Sequence, residues 1–322
     1  MKVFLTGASG FIGTNLIEEL RKKGAQIMNF DSRPPIRQSD EEFYSQGDIM
    51  DESSLAEAMS SFAPDIVMHL AARTDCDENT TVEKGYAVNT QGTKNLLDAV
   101  KQSSTVKRLI IVSTQYVCGP GRQPKDDLDF FPHTVYGQSK ADSEVLTREA
   151  NLNCVWTIVR PVNIWGPFHE RYAREFWKIA EKGLYFHPNV PAPTRTYGYV
   201  KNIVWQMLRI LELPEDRVAG HVFNVGDHPI KIDLWSLGFA KRLSGRDPIR
   251  IPYWMIRGLG VIGDGISLVI RKPFFITSSR LRSMTTDYVT SIEETERVLG
   301  KAPYSLEEGI EETAKWFLNE SE

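Results

Sequence analysis

The chain has 322 residues, 41% of them hydrophobic, and a formal net charge of −4 at pH 7. This length allows a buried core and one or two domains, and the weakly acidic balance argues against a nucleic-acid partner. The three cysteines are widely spaced and fit neither a disulfide framework nor a zinc site, so no metal is expected.

Strand and helix patterns alternate through the first half of the chain. Apolar runs predict strands at residues 2–5, 25–30, 65–70, 106–113 and 154–159. Helical spacing of apolar residues predicts helices at residues 11–23, 53–62, 84–101 and 135–150. Strands separated by such helices pair in parallel through right-handed crossovers. We therefore predict the α/β class, with a Rossmann-type doubly wound parallel sheet.

The pattern loosens after Arg160, where several prolines interrupt the chain. Further helices are predicted near residues 172–182, 203–212, 233–243, 292–299 and 306–318. We expect residues 1–165 to form a nucleotide-binding domain and residues 166–322 a smaller, mostly helical substrate-binding region. The chain is expected to cross back to the sheet around residues 200–235.

The N-terminal residues and the longest apolar run bear on localisation. Residues 1–6 lead directly into a glycine-rich turn without the features of a signal peptide. The run 251–270 is interrupted by Arg257 and Asp264, so it is too polar to span a bilayer. It is interpreted as a helix that covers the core of the smaller region, with contact to a lipid as the alternative. These features predict a cytoplasmic protein without stable membrane insertion.

A glycine-rich segment follows the first predicted strand and opens the first helix. Gly7, Gly10 and Gly13 give the pattern G-x-x-G-x-x-G. Glycine lets the backbone approach a ligand closely, and a helix N-terminus attracts phosphate through its N–H groups and dipole. The segment predicts a pyrophosphate-binding loop for a dinucleotide, with a tight turn that binds nothing as the alternative.

Two aspartates after the glycine-rich segment, Asp31 and Asp48, are candidates to bind the adenosine half of the dinucleotide. Asp31 ends the second strand about 20 residues after the glycines, where a carboxylate binds the ribose hydroxyls and repels a 2′-phosphate. This favours NAD, although Arg33 leaves NADP open as an alternative. Asp48 lies between the predicted strand at residues 25–30 and the predicted helix at residues 53–62, and it is expected to reach the adenine, with an ordinary loop aspartate as the alternative.

A tyrosine and a lysine share one face of the helix at residues 135–150. Tyr136 and Lys140 are four residues apart, and a nearby ammonium favours the phenolate. Tyr136 would accept a proton as hydride leaves the substrate and would return it afterwards. Lys140 would also bind the nicotinamide ribose. Of the hydroxyls that end the preceding strand, Thr114 is the better candidate to bind the substrate oxygen and Ser113 the second.

Taken together, these motifs resemble the extended short-chain dehydrogenase/reductase superfamily, in its NAD-dependent epimerase/dehydratase group. The resemblance extends over nearly the whole chain, and later motifs include Asn163 with residues 166–167, and residues 223–226 and 305–309. It implies catalytic roles for Thr114, Tyr136 and Lys140. It also implies that the cofactor is contacted by Gly7, Gly10, Phe11, Ile12, Gly13, Asp31, Asp48, Ile49, Leu70, Ala71, Ala72, Asn89, Ser113, Tyr136, Lys140 and Pro161.

The resemblance extends to the substrate, with departures. It implies that Thr114, Asn163 and Arg195 bind the substrate, the last two through its phosphates. The pattern around Arg195 lacks the aspartates of the family, and a second phosphate-binding arginine has no clear match, with Arg280 and Arg282 as candidates. The 4,6-dehydratases of the family place Asp-Glu after the catalytic threonine. Gln115 and Tyr116 occupy those positions here, which argues against water elimination.

The leading functional hypothesis is an NAD-dependent nucleotide-sugar 4-epimerase that oxidises its substrate transiently to a 4-keto sugar. A UDP-linked sugar is the expected substrate. The alternatives are an NAD(P)-dependent 4-keto-sugar reductase, a 3β-hydroxysteroid-dehydrogenase-like alcohol oxidoreductase and a protein that binds NAD without turnover. A homodimer that pairs the helices at residues 84–101 and 135–150 is implied by the resemblance alone.

Overall fold

The computed structural model describes residues 1–270, 281 and 285–320. Its β-strands, in chain order, are β1 (Lys2–Thr6), β2 (Gln26–Asp31), β3 (Tyr44–Gln46), β4 (Ile66–His69), β5 (Arg108–Val112), β6 (Val155–Pro161), β7 (Asn163–Trp165), β8 (Phe186–Asn189), β9 (Thr194–Arg195), β10 (Tyr197–Tyr199), β11 (Val222–Val225), β12 (Ile230–Lys231) and β13 (Ile249–Pro252). Its α-helices are α1 (Phe11–Lys22), α2 (Glu52–Phe62), α3 (Val82–Gly85), α4 (Ala87–Gln102), α5 (Val135–Glu149), α6 (Glu170–Tyr172), α7 (Lys178–Glu181), α8 (Val200–Glu212), α9 (Ile232–Ser244), α10 (Tyr253–Ile270), α11 (Glu293–Leu299) and α12 (Leu306–Glu320).

Seven strands form one parallel sheet in the order β11-β6-β5-β4-β1-β2-β3. Val3 of β1 lies beside Ile27 of β2 on one side and Ile66 of β4 on the other. The chain therefore builds outwards from β1 in one direction as far as β3 and then restarts at β4 in the other. Ligands of such sheets bind at this reversal, outside the carboxyl ends of the strands. The predicted α/β class and doubly wound parallel sheet are confirmed.

The sheet is buried on both faces, which explains its nearly continuous apolar strands. On one face Phe4, Val67 and Leu109 are at most 1% exposed, and on the other face their chain neighbours Leu5, Met68 and Ile110 are equally buried. Helices α1, α4 and α8 bury apolar residues that include Leu16, Leu96 and Ile203, as their sequence pattern predicts. The apolar runs that predicted the strands are therefore explained by the burial of both faces of the sheet.

The described chain divides into two compact units. Unit 1 comprises Met1–Phe168, Gly198–Asp227 and Thr290–Pro303, and unit 2 comprises the described parts of His169–Tyr197, His228–Val289 and Tyr304–Glu322. The chain therefore enters unit 1 three times. The second entry supplies α8 and β11, and the third supplies α11, whose Thr295 hydroxyl donates to the Asn224 carbonyl of β11 at 2.7 Å.

Unit 2 is built around aromatic side chains. Trp235 lies 4.9 Å from Phe176 and 5.0 Å from Phe239 between ring centroids, and Trp177 lies 5.4 Å from Phe239. The helix expected over residues 172–182 is α6, a π-helical turn at Ala173–Trp177 and α7. The apolar run 251–270 contains α10, and no helix in the described chain is long and apolar enough to cross a membrane.

One predicted helix is divided in the structure. The helix expected over residues 84–101 is α3 and α4, with Tyr86 between them in a non-helical conformation. Tyr86 is fully buried, its hydroxyl donates to Asp75 at 2.9 Å, and it accepts the Asp77 N–H at 2.7 Å. These bonds to the preceding loop are tertiary interactions, and they override the local helical pattern.

Replacing Gly7 by alanine should destabilise the protein more than replacing Gly24, although both have positive φ. The φ values are +72° and +68°, but a Cβ at Gly7 would lie 2.4 Å from the Cα of Ala71, whereas a Cβ at Gly24 meets nothing within 4 Å. We expect a loss of about 1–2 kcal/mol for Gly24→Ala and a further ~1–3 kcal/mol for Gly7→Ala. Urea denaturation measures both; equal losses would mean that the close approach to Ala71 is not a constraint.

Candidate active site

The glycine loop lies at the reversal of the strand order. A Cβ at Gly7 would collide with Ala71 in the loop after β4, and a Cβ at Gly13 would lie 2.2 Å from the Cα of Ala8. Packing within the chain therefore requires these two glycines. Gly10 is exposed, caps α1, and a Cβ there would meet only the Gly7 carbonyl at 3.5 Å. The N-terminus of α1, with Phe11 and Ile12 in its first turn, is thus open to a pyrophosphate.

The end of β2 holds this loop in place. The Ser9 N–H donates to Asp31 Oδ2 at 3.0 Å and the Arg33 N–H to Asp31 Oδ1 at 3.1 Å. The Asn29 side chain accepts the Ala8 N–H at 3.1 Å. An ionised carboxylate offers about four acceptor positions, so Asp31 keeps acceptors for the ribose hydroxyls. The loop, the helix end and the carboxylate fit a dinucleotide.

The residues expected around the adenine have different environments. Asp48 is exposed and accepts the Met50 N–H at 2.9 Å. Ile49 is 4% exposed and packs against Gly92, while its carbonyl accepts the Asn95 amide at 2.9 Å. Asp48 therefore faces solvent, where it can reach a ligand, and Ile49 supports the loop from the core.

The loop after β4 is fixed by a buried asparagine. Leu70, Ala71 and Ala72 are half-buried, and the Leu70 N–H donates to the Thr6 carbonyl at 2.9 Å. The Asn89 side-chain amide makes two hydrogen bonds to the backbone of Arg73, the residue after Ala72. Its Oδ1 accepts the Arg73 N–H at 2.7 Å, and its Nδ2 donates to the Arg73 carbonyl at 3.0 Å. Asn89 therefore positions the bed on which the cofactor is expected to lie.

Tyr136 lies in the first turn of α5, which Thr134 caps by accepting the Gly137 N–H at 2.9 Å. The Tyr136 ring is 8% exposed and lies 6.2 Å from the rings of both Tyr86 and Tyr116. Burial raises the pKa of Tyr136, and a hydrogen bond from Thr114 opposes that rise. Without a further positive charge, the phenol is therefore protonated at neutral pH.

Lys140 is one turn further along α5 and only 1% exposed. Burial lowers the pKa of Lys140 to about 8, and the Glu144 carboxylate opposes the shift. Burial and, secondarily, the charge of Lys140 lower the pKa of His69 to about 3. His69 is therefore neutral, and its ring nitrogens lie 2.7 Å from the Thr6 hydroxyl and 3.0 Å from the Thr93 hydroxyl. It is a structural residue.

A buried ion pair beneath these residues was missed in the sequence. Arg160 donates to both oxygens of Glu144, at 2.9 and 2.7 Å, and the Ser113 hydroxyl donates to Glu144 at 2.6 Å. Glu144 follows Lys140 by four residues, so helical spacing could have indicated that it lies on the same face. Ser113 is thus engaged by Glu144, whereas the neighbouring Thr114 lowers the pKa of Tyr136.

Asn163, which was predicted to bind the substrate, lies in unit 1 and accepts the Tyr116 hydroxyl at 3.3 Å. Tyr116 and Gln115 occupy the positions where a dehydratase has its acids. Gln115 is buried and accepts the Thr290 hydroxyl at 3.1 Å. Pro161 is buried at the end of β6.

Arg195 belongs to unit 2, whereas the other predicted site residues belong to unit 1. Its Nε and Nη2 donate to the Thr286 carbonyl at 3.3 and 3.1 Å. The side chain lines a cavity of about 250 Å³ within unit 2 whose walls include the aromatic residues Tyr172, Phe176, Tyr185, Phe186, Tyr197 and Trp235. Arg280 and Arg282, the candidates for a second phosphate contact, lie outside the described residues.

Comparison with known families supports the same assignment as the geometry. The family model described as the NAD dependent epimerase/dehydratase family matches residues 3–226. The chain belongs to this family. It is therefore an NAD-dependent enzyme of the extended short-chain dehydrogenase/reductase type, and the dinucleotide that its glycine loop fits is NAD.

Relatives of this epimerase/dehydratase chain differ in substrate. An N-acetyl-alpha-D-glucosaminyl-diphospho-ditrans,octacis-undecaprenol 4-epimerase of Escherichia coli O157:H7 is 28% identical, with 98% of this chain and 94% of that protein covered. A 3 beta-hydroxysteroid dehydrogenase/Delta 5-->4-isomerase of vaccinia virus (strain Western Reserve) is 23% identical, with 99% of both covered. The structure of a UDP-glucose 4-epimerase of Thermotoga maritima with UDP-glucose has a TM-score of 0.77 at 21% identity and full coverage of both chains.

Removing the Thr114 hydroxyl should shift the pH dependence of turnover. Its hydrogen bond lowers the pKa of Tyr136 against the effect of burial. Thr114→Val should therefore raise that pKa, and the phenolate needed as base should form only at higher pH. We expect the rising limb of kcat/KM against pH to move upwards by roughly one unit, the worth of one hydrogen bond to a charged group.

The conservative variant Thr114→Ser retains the hydroxyl, so its kcat/KM should rise over the same pH range as that of the wild type. If Thr114→Val loses activity without any displacement of the limb, the hydroxyl acts on the substrate alone and does not tune the tyrosine.

Proposed function

We propose that the protein is a nucleotide-sugar 4-epimerase that acts on UDP-linked sugars through a transient 4-keto sugar. The observation that carries the proposal is that Tyr136 and Lys140 are both buried and lie one helical turn apart on α5, with Thr114 as the hydroxyl that lowers the pKa of Tyr136. A hydroxyl, a phenol and an ammonium in this arrangement can remove and return the proton of a secondary alcohol.

The proton follows a closed path. Tyr136 accepts the proton of the 4-hydroxyl as the carbon–oxygen bond becomes a carbonyl, and Thr114 hydrogen-bonds the same oxygen. Bound NAD would supply the reversible hydride chemistry at C4. The return of hydride to the opposite face of the keto sugar inverts C4, and Tyr136 gives the proton back to the oxygen. Each catalytic residue therefore ends in its starting state.

The pKa shifts of Tyr136 and Lys140 support a requirement for the bound cofactor. Burial raises the pKa of Tyr136 and lowers the pKa of Lys140 to about 8, so both groups are shifted towards their neutral forms. A positively charged nicotinamide next to the phenol favours the phenolate. We infer that base catalysis is switched on only when oxidised NAD is in place.

The reaction stops at inversion because the residues for elimination are missing. Gln115 and Tyr116 follow Thr114, and neither side chain is an acid of the strength that expulsion of a hydroxyl requires. Tyr116 instead bonds Asn163 and packs edge-on against Tyr136 at 6.2 Å. Water elimination at C5–C6 therefore has neither its acid nor its base.

The proposed substrate class is supported by the phosphate-linked sugars of the relatives. The E. coli protein is named for a sugar on a diphosphate, and the T. maritima structure contains UDP-glucose. Arg195 supplies a guanidinium to the cavity of unit 2, where it can neutralise a diphosphate. Asn163 supplies an amide in unit 1.

A second candidate is a 3β-hydroxysteroid-dehydrogenase-like oxidation of an alcohol. The aromatic walls of the cavity in unit 2 favour it, because they suit an apolar ligand body. The vaccinia virus relative carries that name and aligns over 99% of this chain. Such an enzyme accumulates NADH, whereas an epimerase forms none in net terms. A 4-keto-sugar reductase would consume it.

The proposal is tested by incubating the purified protein with UDP-glucose, UDP-N-acetylglucosamine and UDP-glucuronic acid and separating the products. We expect interconversion of at least one 4-epimer pair without net change in absorbance of the cofactor. Tyr136→Phe should lower kcat by about 10²–10⁴-fold because the proton acceptor is lost. NAD released on denaturation should be unchanged in that variant.

Two outcomes would contradict the assignment. Full activity of Tyr136→Phe would remove the tyrosine from the mechanism. Stoichiometric formation of NADH from a sterol alcohol, with no epimerisation of any UDP-sugar, would favour the second candidate.

The oligomeric state and the cytoplasmic location stay predictions. A homodimer through α4 and α5 would bury the outward-facing side chains Gln91, Lys94, Asp98 and Gln138. It would also bury Val145 of α5, which is apolar and exposed. Because these side chains include the charged residues Lys94 and Asp98, we propose that a dimer formed through these helices weakens in high salt. Sedimentation equilibrium at two salt concentrations measures this.

A further inference from the structure

Helix α10 presents an apolar stripe to solvent. Trp254, Val261 and Ile262 are 74%, 63% and 61% exposed, and Met255 is 44% exposed. Their spacing of one, seven and eight residues from Trp254 places all four on one side of the helix. Arrangement on a single face distinguishes them from the scattered exposed apolar residues found on most protein surfaces.

The opposite side of α10 faces the interior of unit 2. Ile256 is 1% exposed and lines the aromatic cavity, and Gly260 and Gly263 are also buried. Surface helices normally turn their polar side to solvent. This helix has apolar residues on both sides, so its outer side is suited to a second apolar surface.

Two exposed arginines belong to α10 and to the strand that directly precedes it. Arg257 is exposed on α10 next to the side that carries the stripe, and Arg250 is exposed in β13, as is Ile249, which is 66% exposed. The acid on the helix, Asp264, is half-buried. Tryptophan with arginine at the edge of an apolar face is typical of helices that lie in the headgroup region of a bilayer. The charges match an anionic lipid surface.

We propose that α10 docks the protein on the surface of an anionic lipid bilayer, with Trp254, Val261 and Ile262 inserted to the depth of the headgroups. Because no helix of the described chain can cross a membrane, the contact is peripheral. The proposal does not depend on the reaction catalysed, since these residues are remote in sequence from Tyr136 and Lys140 and belong to the other unit.

Flotation of the full-length protein with vesicles tests the proposal. Vesicles of phosphatidylcholine alone are compared with an equal mixture of phosphatidylcholine and phosphatidylglycerol. We expect the protein to float with the mixed vesicles only, and less in high salt. The double variant Trp254→Ser/Val261→Ser should reduce the partition coefficient by about tenfold or more, because two interfacial side chains are lost.

Leu234→Ser is the matched control, since Leu234 is an apolar residue of unit 2, in α9, that is 57% exposed. It should float as the wild type does. Arg250→Glu/Arg257→Glu should abolish the preference for phosphatidylglycerol. Thermal unfolding and turnover of a water-soluble substrate should be unchanged in all variants, because every substituted side chain is exposed. Flotation and turnover are separate readouts, so either proposal can fail alone.

Three results would overturn the docking proposal. The wild type would stay at the bottom of the gradient with mixed vesicles, or the double variant would float as well as the wild type. Alternatively, sedimentation would show a wild-type dimer that the double variant dissociates while neither protein floats. That last result would assign the stripe to a second copy of the chain.

Discussion

The burial of Lys140 is the constraint on which the arrangement of the active site depends. An ammonium that is 1% exposed is costly, and Glu144 in the next turn of α5 offsets only part of that cost, because burial still lowers the pKa of Lys140 to about 8. Glu144 is in turn held by Arg160 of β6 and by Ser113 at the end of β5. One network therefore links the ends of β5 and β6 to α5, the helix that carries Tyr136 and Lys140.

The reversal of strand order provides the second half of the site. Because β1 and β4 are neighbours, the loops that follow them approach within van der Waals contact at Gly7 and Ala71. The glycine loop, the proposed cofactor bed after β4 and the proposed catalytic residues after β5 thus follow adjacent strands of unit 1. Arg195 and the aromatic cavity belong to unit 2. Hydride chemistry and the proposed recognition of the substrate are therefore encoded in different parts of the chain.

Much of this could be predicted from the sequence, because strand and helix periodicity, the glycine spacing and the Tyr136–Lys140 pair are local patterns. The features that were missed depend on contacts between distant residues. The break at Tyr86 depends on hydroxyl bonds to the loop before it. Glu144 lies on α5, and its partner Arg160 is 16 residues away on β6. The return of the chain at Thr290–Pro303 and the aromatic cavity likewise leave no periodic signal.

The central claim is that one hydride leaves C4 and returns to the same carbon within a single binding event. The most direct measurement follows deuterium from a UDP-sugar labelled at C4 through epimerisation by the purified protein, with unlabelled NAD added to the solution. The account predicts that the inverted product keeps the deuterium at C4 and that none enters the added cofactor. Loss of deuterium to solvent, to the added NAD or to another carbon of the sugar would contradict it.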